Sequence, residues 1–436
     1  MQQGVVRMSA RWFYSGGVTD GPETLRITLT GDDRPGVTSA LLQAVAPLRA
    51  DVLDLEQIVV RDHLTLTLLL RTAGEADSAA ASADSATAGT ARELRGAVQV
   101  VADRLGMRAK VREGVGDSHE RPAGRAHVVV LGRPLGAGSL GAVTARIAAH
   151  GANIDRIRRL SHYPVTTLEF DVSGADVPAL RVELAAVAAA ERVDVAVAPA
   201  GLARLGARLV VMDVDSTFIQ QEVIELLAAK CGREAEVAAV TERAMRGELD
   251  FAASLRERVA VLAGLDASVL DAVRAQIILT PGARTLVRTL KRLGDTIALV
   301  SGGFIEIVGP IAADLGIDHA LANRLEVRDG RLTGRVEGEI VDRAGKARAL
   351  RRFAAEAGLP LSRTVAIGDG ANDLDMLEAA GLGVAFNAKP LVRAQADTAV
   401  NVPYLDTVLF LLGITREDVE EADALDGIPT PAPHLS

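Results

Sequence analysis

Residues 209–217 read LVVMDVDST, a run of four apolar residues that ends in two acids. Similar runs follow: IALV at 297–300 leads into SGG, VAI at 365–367 leads into GDGAND, and LGVAF stands at 382–386. Short continuous apolar runs that alternate with helical stretches are typical of buried strands in a parallel sheet covered on both faces. The pattern predicts an α/β domain over residues 206–412, and ligands of such sheets bind beyond the carboxyl ends of the strands.

The polar residues in and near these strand ends form one set of acids, a hydroxyl, an amide and a lysine. The set consists of Asp213, Asp215, Ser301, Gly302, Lys346, Asp369, Asn372 and Asp373. Carboxylates that lie close together repel one another and require a cation, and hard oxygen ligands favour Mg²⁺. One carboxylate can attack phosphorus while a second protonates the leaving oxygen. Lys346 and the Ser301 hydroxyl would then neutralise and hydrogen-bond the phosphoryl oxygens.

Each piece alone has an ordinary structural explanation. An Asp-x-Asp pair after a strand often caps a helix, Ser-Gly-Gly often forms a turn, and a lone lysine such as Lys346 is usually solvated. Independent turns would not each follow a buried run in this order, so the combination favours a site for phosphoryl transfer.

The four motifs around Asp213, Ser301, Lys346 and Asp369 resemble those of the haloacid-dehalogenase (HAD) superfamily. The resemblance implies a Rossmann-like parallel sheet with a cap domain. It also implies that Asp213 is the nucleophile and that Asp215 is the general acid and later the general base. Under the same resemblance, Mg²⁺ is held by Asp213, Asp369 and the backbone carbonyl of Asp215, with Asp373 in support.

Two further stretches narrow the resemblance within that superfamily. Residues 213–222, DVDSTFIQQE, and residues 245–259, MRGELDFAASLRERV, resemble the phosphoserine phosphatase family. The second stretch is similar to the helical cap of that family, which we expect at about 219–280. Phosphoserine carries a phosphate, a carboxylate and an ammonium, so a selective site needs a metal and cation, an arginine fork and an acid.

The resemblance implies a role for four cap residues. Glu222 would hold the substrate ammonium, Arg258 would grip the carboxylate, and Met245 and Phe251 would close over the substrate. Without the motif, Glu222 and Arg258 would be read as solvated helical residues, and Met245 and Phe251 as part of the cap core.

The sequence pattern of the first half of the chain predicts two successive βαββαβ units, at residues 23–115 and 125–199. Within the first unit, a flexible inserted loop is expected at 73–91. The two units resemble ACT domains, which bind amino acids between copies. The resemblance implies an amino-acid site formed by four residues, Gly31, Asp33, Gly132 and Asn153. An assembly module without a ligand is the alternative. We expect a homodimer or a higher homo-oligomer formed through these domains, with L-serine as the regulatory ligand.

Composition and charge exclude several classes of protein. The formal net charge of −9 disfavours binding to nucleic acid or to anionic membranes, and no apolar run reaches the length of a membrane span. The single cysteine excludes an intramolecular disulfide, and no secretory signal is seen, so a cytoplasmic location is expected. We expect residues 1–22 to be disordered and residues 413–436 to form an acidic, Pro-rich, frayed tail.

The sequence therefore predicts a Mg²⁺-dependent hydrolase that converts O-phospho-L-serine to L-serine and phosphate, the last step of L-serine biosynthesis. Two alternatives stay open. One is a related HAD phosphotransferase or a phosphatase of another small phosphoester. The other is a regulatory binding protein whose phosphatase half is inert.

Overall fold

The computed structural model describes residues 23–48, 50–71, 83–115, 123–201, 204, 206–245 and 248–430. The predicted disorder of residues 1–22 lies outside this range. The chain divides into two compact units, one that ends at Glu120 and one that begins at Arg121. No helix in the described ranges is both long enough and apolar enough to cross a bilayer.

The first unit is a single module with the order βαββαβ. Its elements are β1 (Glu23–Asp32), α1 (Val37–Val45), β2 (Asp51–Val60), β3 (His63–Arg71), α2 (Ala83–Leu105) and β4 (Arg108–Val115). The strands form an antiparallel sheet in the order β2-β3-β1-β4. Buried residues alternate along β3, because successive side chains of a strand point to opposite faces. Both helices pack on this buried face, as Leu41 of α1 and Leu94 of α2 belong to its core.

Helix α2 corrects one prediction. The stretch 73–91 was expected to be a flexible loop, but the helix begins at Ala83. Small residues are typical of linkers, yet alanine is also the best helix former, and the core contacts of Leu94 and Val98 stabilise the helix that continues from this stretch. Residues 72–82 lie outside the described ranges.

The second unit opens with another βαββαβ module. Its elements are β5 (Ala126–Gly132), α3 (Ala137–Ala149), β6 (Asn153–Ser161), β7 (Thr166–Ser173), α4 (Val177–Glu191) and β8 (Asp194–Pro199). The sheet order β6-β7-β5-β8 repeats that of the first module. The predicted duplication is therefore confirmed, and each module has its own apolar core.

An α/β domain follows in the same unit. Its strands are β9 (Leu209–Met212), β10 (Thr296–Phe304), β11 (His319–Arg328), β12 (Arg331–Glu337), β13 (Thr364–Gly368), β14 (Leu382–Phe386) and β15 (Thr398–Val400). They form one sheet in the order β12-β11-β10-β9-β13-β14-β15, with β12 antiparallel to β11 and the other pairs parallel. The predicted parallel core is confirmed, and the β11–β12 hairpin is an addition.

Helices cover this sheet and build a cap. Around the sheet lie α9 (Ala283–Arg292), α10 (Ile305–Asp314), α11 (Arg343–Glu356), α12 (Leu374–Ala379), α13 (Pro390–Gln395) and α14 (Val408–Leu411). The cap helices are α5 (Val223–Cys231), α6 (Glu234–Met245), α7 (Phe251–Ala260) and α8 (Val269–Arg274). The structure thus places a helical cap where the sequence predicts one, between β9 and α9.

The carboxyl-terminal segment also differs from its prediction. Residues 416–425 form helix α15 (Arg416–Leu425) rather than a frayed tail, and the side chain of Asp423 is fully buried. Asp423 accepts hydrogen bonds from Arg288 Nε (2.8 Å), Arg288 Nη2 (2.6 Å) and Arg292 Nη1 (2.6 Å), all from α9. These charge-assisted bonds explain why an acidic segment is held on the domain. Residues 431–436 lie outside the described ranges.

The second module is docked on the α/β domain along β15. The Thr398 hydroxyl donates a hydrogen bond to the Val195 carbonyl of β8 at 2.9 Å. The backbone N–H of Asn401 donates to Asp194 at 2.8 Å, and the Arg181 guanidinium of α4 pairs with Asp397. The start of β8 and a helix of the module therefore hold the segment that follows α13.

Candidate active site

Three neighbouring parallel strands bring the predicted motifs to one edge of the sheet. β9 lies between β10 and β13 in the sheet order, and the strands pair in parallel register. Asp213 directly follows β9, Ser301 lies near the end of β10, and Asp369 directly follows β13. The structure thus brings together residues that lie far apart in the chain, Asp213 and Asp369 by more than a hundred positions.

A buried lysine lies between two of the acids. The Lys346 ammonium is 2.7 Å from Asp213 Oδ1 and 2.7 Å from Asp373 Oδ1, and its side chain is 1% exposed. Burial opposes the charge, but the two carboxylates outweigh this effect and raise the pKa of Lys346. Lys346 is therefore a permanent cation beneath the site rather than a proton donor.

The environment of Asp213 leaves one of its oxygens free. Oδ1 accepts hydrogen bonds from the Val214 N–H and from Lys346, each at 2.7 Å. Oδ2 accepts none from the residues that the structure describes. Burial and the neighbouring Asp373 raise the pKa of Asp213 well above its usual range, against the effect of Lys346. Oδ2 is thus the oxygen available to react.

Asp215 is positioned by a strained turn. The next residue, Ser216, has a φ of 57°, a left-handed conformation that costs energy for a residue other than glycine. Asp215 accepts hydrogen bonds from the Val223 N–H at 2.8 Å and from the Ser301 hydroxyl at 2.9 Å. Burial and the negative charge of Glu222 raise the pKa of Asp215 to about 6. A carboxyl group with a pKa this near neutrality suits proton transfer in both directions.

Asp369 is held by a residue that the sequence interpretation missed. The buried Thr217 hydroxyl donates a hydrogen bond to Asp369 Oδ1 at 3.0 Å. Burial, together with the charge of Asp373, raises the pKa of Asp369 to about 6. The signal was present, because Thr217 lies in the quoted DVDST motif, but the spacing alone does not assign it a partner 152 positions away.

The donor set fits a divalent cation. Asp213, Asp369 and Asp373 each offer one carboxylate oxygen, and these oxygens lie within 4.8 Å of one another. Lys346 contributes one positive charge against these three acids, and burial, followed by the charge of Asp373, raises the pKa values of Asp213 and Asp369. Hard oxygens in this number are the ligands that Mg²⁺ prefers. The side chain of Asp215 is not in this cluster, and the predicted role of its backbone carbonyl stays a prediction.

The cap closes a cavity of about 280 Å³ over this edge. Glu222, Phe251 and Arg258 line it from the cap, together with Asp213 from the core. Glu222 Oε1 accepts a hydrogen bond from Ser216 at 2.7 Å. Arg258 is held by a long contact of 3.4 Å from Nε to the Ser254 carbonyl, and burial lowers its pKa. An acid and an arginine of the cap therefore line the same cavity as Asp213.

The small residues of the site leave room for its neighbours. A Cβ on Gly302 would lie 2.9 Å from the Phe251 ring, and a Cβ on Gly370 would lie 2.0 Å from Asn372 Oδ1. Gly302 therefore lets the Phe251 ring of the cap lie directly over the sheet edge at which Asp213, Ser301 and Asp369 meet, here called the catalytic edge for its proposed role. Asn372 also lines the cavity, and its predicted contact with substrate stays a prediction. Met245 ends α6, but its side chain is outside the described ranges.

A cation that the sequence interpretation did not select also lines the cavity. Lys389 follows β14 and begins the turn into α13. The signal was again present, since the notable apolar run at 382–386 is followed by polar residues, as the other runs are. It was overlooked because a single lysine in a loop is ordinarily solvated.

The four predicted regulatory residues lie at loops and strand ends of the two modules. The space that a Cβ would take is filled by Met107 at Gly31 (2.7 Å) and by Leu135 at Gly132 (3.1 Å). Asp33 is exposed, and Asn153 donates a hydrogen bond to Asp155 at 2.8 Å. Packing within each module thus accounts for the two glycines, and a ligand role for these four residues stays a prediction.

Comparison with known proteins identifies the families that this chain resembles. Residues 210–378 match the family described as haloacid dehalogenase-like hydrolase, and residues 23–99 and 125–198 each match an ACT domain. A phosphoserine phosphatase from Streptomyces coelicolor is 58% identical over 407 residues, which cover 93% of this chain and 96% of the relative. Phosphoserine phosphatase SerB2 from Mycobacterium tuberculosis is 52% identical over 402 residues, which cover 92% and 95%.

A solved structure shares the architecture over much of the chain. The unliganded probable phosphoserine phosphatase from Vibrio cholerae has a TM-score of 0.53 and 34% identity, covering 68% of this chain and 88% of that one. The fold is that of a haloacid dehalogenase-like hydrolase that carries ACT domains. Within that class, the chain belongs to the phosphoserine phosphatase family.

Proposed function

We propose that this protein hydrolyses O-phospho-L-serine to L-serine and phosphate through a phosphoaspartate on Asp213. The observation that carries the proposal is that Glu222 and Arg258 line the same cavity as Asp213. A phosphatase without selectivity for amino acids has no need of an acid and an arginine there. The reaction would be the last step of L-serine biosynthesis, and a cytoplasmic location stays the expected one.

The first half-reaction uses the two motif aspartates. Asp213 Oδ2 attacks phosphorus, the bond from phosphorus to the serine oxygen breaks, and Asp215 gives its proton to that oxygen. The Ser301 hydroxyl holds Asp215 at 2.9 Å and itself accepts from the Gly303 N–H at 2.7 Å, so the acid is oriented before the substrate arrives. Orientation of this kind accounts for much of the acceleration in phosphoryl transfer.

The second half-reaction reverses the role of Asp215. A water molecule attacks phosphorus, its proton passes to Asp215, and the bond from phosphorus to Asp213 breaks. A pKa of about 6 allows Asp215 to lose and regain a proton near neutral pH. Bound to Asp213, Asp369 and Asp373, a Mg²⁺ ion would neutralise phosphoryl charge and keep the carboxylates ionised. We propose Mg²⁺ because the donor set consists of carboxylate oxygens.

Selectivity would come from the cap. The Arg258 guanidinium is suited to the substrate carboxylate, and Glu222 to the ammonium. A phosphoester that lacks one of these groups would lose the contact with Arg258 or with Glu222, and so bind less well than phosphoserine. This argument disfavours the alternative of a general phosphatase for small phosphoesters. The alternative of an inert phosphatase half is disfavoured because Asp213, Asp215, Lys346 and Asp369 are all in place.

The selectivity proposal predicts an unequal effect of Arg258→Ala. We expect kcat/KM for phosphoserine to fall about ten- to a hundredfold, the effect of one charge-assisted hydrogen bond. The value for p-nitrophenyl phosphate, which has no carboxylate, should change less than about threefold. Phosphate release with Mg²⁺ measures both substrates.

Arg256 provides the matched control for this experiment. It is exposed on the same helix, so Arg256→Ala removes the same charge outside the cavity and should leave both substrates unaffected. Equal losses for the two substrates in Arg258→Ala would mean that Arg258 supports the cap instead of reading the carboxylate. If the wild-type enzyme did not hydrolyse phosphoserine but cleaved other phosphoesters, the proposed function itself would be wrong.

We also propose that the ACT domains bind an amino acid, with L-serine as the expected ligand, and that the protein is a homodimer or a higher homo-oligomer. The match of both modules to ACT domains supports the first part. The edge strand β2 supports the second, because Val52, Ile58 and Val60 are 53%, 55% and 68% exposed. An apolar edge strand of this kind is a template for pairing with another chain.

Regulation of this kind predicts inhibition by L-serine that does not depend on the active site alone. We expect serine to lower kcat, whereas product competition would raise only the apparent KM. Asp33→Ala and Asn153→Ala should weaken this inhibition, with an overall coupling of about 5- to 150-fold. Steady-state kinetics with and without serine, and sedimentation of the full chain, are the measurements. Purely competitive inhibition, unchanged in both variants, would remove the ACT explanation.

A further inference from the structure

A fourth parallel strand, β14, also ends at the catalytic edge. It pairs in parallel with β13, and Gly368 lies opposite Ala385 near the ends of the two strands. The residues after Phe386 therefore leave the sheet beside the loop that carries Asp369. The first charged residue after β14 is Lys389, and it lines the cavity.

The backbone around Lys389 is held at a defined position. Asn387 has a φ of 45°, in the left-handed region, and its N–H donates to the Val400 carbonyl at 2.8 Å. Ala388 is buried in the core, and Pro390 fixes the first position of α13. The Lys389 side chain itself is exposed, and its ammonium forms no ion pair with the residues that the structure describes. A fixed backbone with an unpartnered cation is suited to binding an anion.

The other end of the same segment is anchored as well. Arg393 of α13 donates a hydrogen bond to Asn401 Oδ1 at 3.2 Å, and Asn401 is bonded in turn to Asp194 of the second module. Asp397 accepts from the Gly383 N–H at 2.8 Å and pairs with Arg181. Lys389 thus belongs to a segment that is tied to the sheet and to the ACT domain.

The charges of the cavity leave a role for a further cation. Its described lining residues include four carboxylates and two cations, namely Asp213, Asp215, Glu222, Asp369, Arg258 and Lys389. Lys346 lies beneath them and is already bonded to two acids. Arg258 comes from the cap, where the substrate carboxylate is expected. The phosphoryl group must lie at Asp213, on the core side, and Lys389 is the lining cation that comes from the core.

We propose that Lys389 binds the phosphoryl group of the substrate and the phosphate that is released. Lys389 of the core would thus bind one anionic group of the substrate, and Arg258 of the cap the other. The proposal rests on the proposed function for the identity of the substrate. The role of Lys389 toward the phosphoryl group does not depend on the proposed function, because every phosphoester substrate carries that group. Lys389 attracts and orients the dianion while Asp213 and Asp215 perform the chemistry.

The test is Lys389→Met, which removes the charge and keeps most of the stem. We expect KM to rise about tenfold for both phosphoserine and p-nitrophenyl phosphate, at the low end for a charge-assisted bond because the side chain is exposed. The inhibition constant of inorganic phosphate should rise by a similar factor, while kcat changes less than about threefold. Lys389→Arg should restore most of the binding, because it keeps the positive charge.

Lys230→Met is the matched control, since Lys230 is an exposed lysine of α5 that does not line the cavity. Unchanged KM and phosphate inhibition in Lys389→Met would overturn the proposal. A loss confined to phosphoserine would also overturn it, because Lys389 would then read the carboxylate. If the wild type proved inactive on phosphoserine, the aryl phosphate and inorganic phosphate measurements would still decide the role of Lys389.

Discussion

Asp213→Asn should abolish turnover of phosphoserine, with a loss on the order of 10⁴-fold or more, as expected when a covalent nucleophile is removed. An amide cannot attack phosphorus. The fold should persist, because the asparagine oxygen can still accept from the Val214 N–H and from Lys346. Acid quenching of the wild type during turnover, followed by mass spectrometry, should find a phosphoryl group on the peptide that contains Asp213.

Asp314→Asn is the control for this substitution, since Asp314 is exposed at the end of α10. It should turn over phosphoserine at the wild-type rate. Near-normal turnover in Asp213→Asn, or a phosphoryl group trapped on another residue, would show that the covalent route proposed for Asp213 is wrong.

Removal of divalent cations should also cause a large loss of activity. We expect excess chelator to lower activity about a thousandfold, because a metal at such a site contributes several kcal/mol of transition-state stabilisation. Added Mg²⁺ should restore activity. It should also raise the thermal unfolding temperature, since an ion that binds only the folded state stabilises it by about 2.7 kcal/mol at a hundred times its Kd.

The stability measurement separates binding from catalysis. Asp369→Asn removes one of three carboxylates that lie within 4.8 Å of one another, so the rise in unfolding temperature with Mg²⁺ should become much smaller. Full activity in chelator would contradict the proposed metal dependence. If Mg²⁺ did not change the unfolding temperature of the wild type, the proposed metal site would be wrong.

The catalytic edge was predictable because its signals are local. Each motif follows an apolar run in the sequence, and the carboxyl ends of parallel strands meet at one edge. Asp213, Ser301 and Asp369 could therefore be grouped without a structure. The βαββαβ modules were predictable for a similar reason, as alternation along β3 and the turn near Asp62 are visible in the sequence.

The features that escaped prediction depend on partners far along the chain. The buried position of Asp423 follows from Arg288, 135 residues earlier, and an acidic stretch alone predicts only a solvated tail. Thr217 has a similar remote partner in Asp369. The β11–β12 hairpin is different, because its signal was local: its turn contains the pair Asp329-Gly330. These two residues adopt positive φ values of 47° and 71° in the structure. Such Asp-Gly pairs are a known hairpin signal.

The docking of β8 against β15 bears on how this protein can be divided. Each of the two strands is the last strand of its sheet, and an open last strand invites pairing with other chains. In the intact chain these two end strands lie against each other, and the Thr398 hydroxyl donates a hydrogen bond to the Val195 carbonyl between them. Separation of the chain between β8 and β9 would expose β15 on one fragment and β8 on the other. We therefore expect fragments cut between β8 and β9 to self-associate more readily than the intact chain.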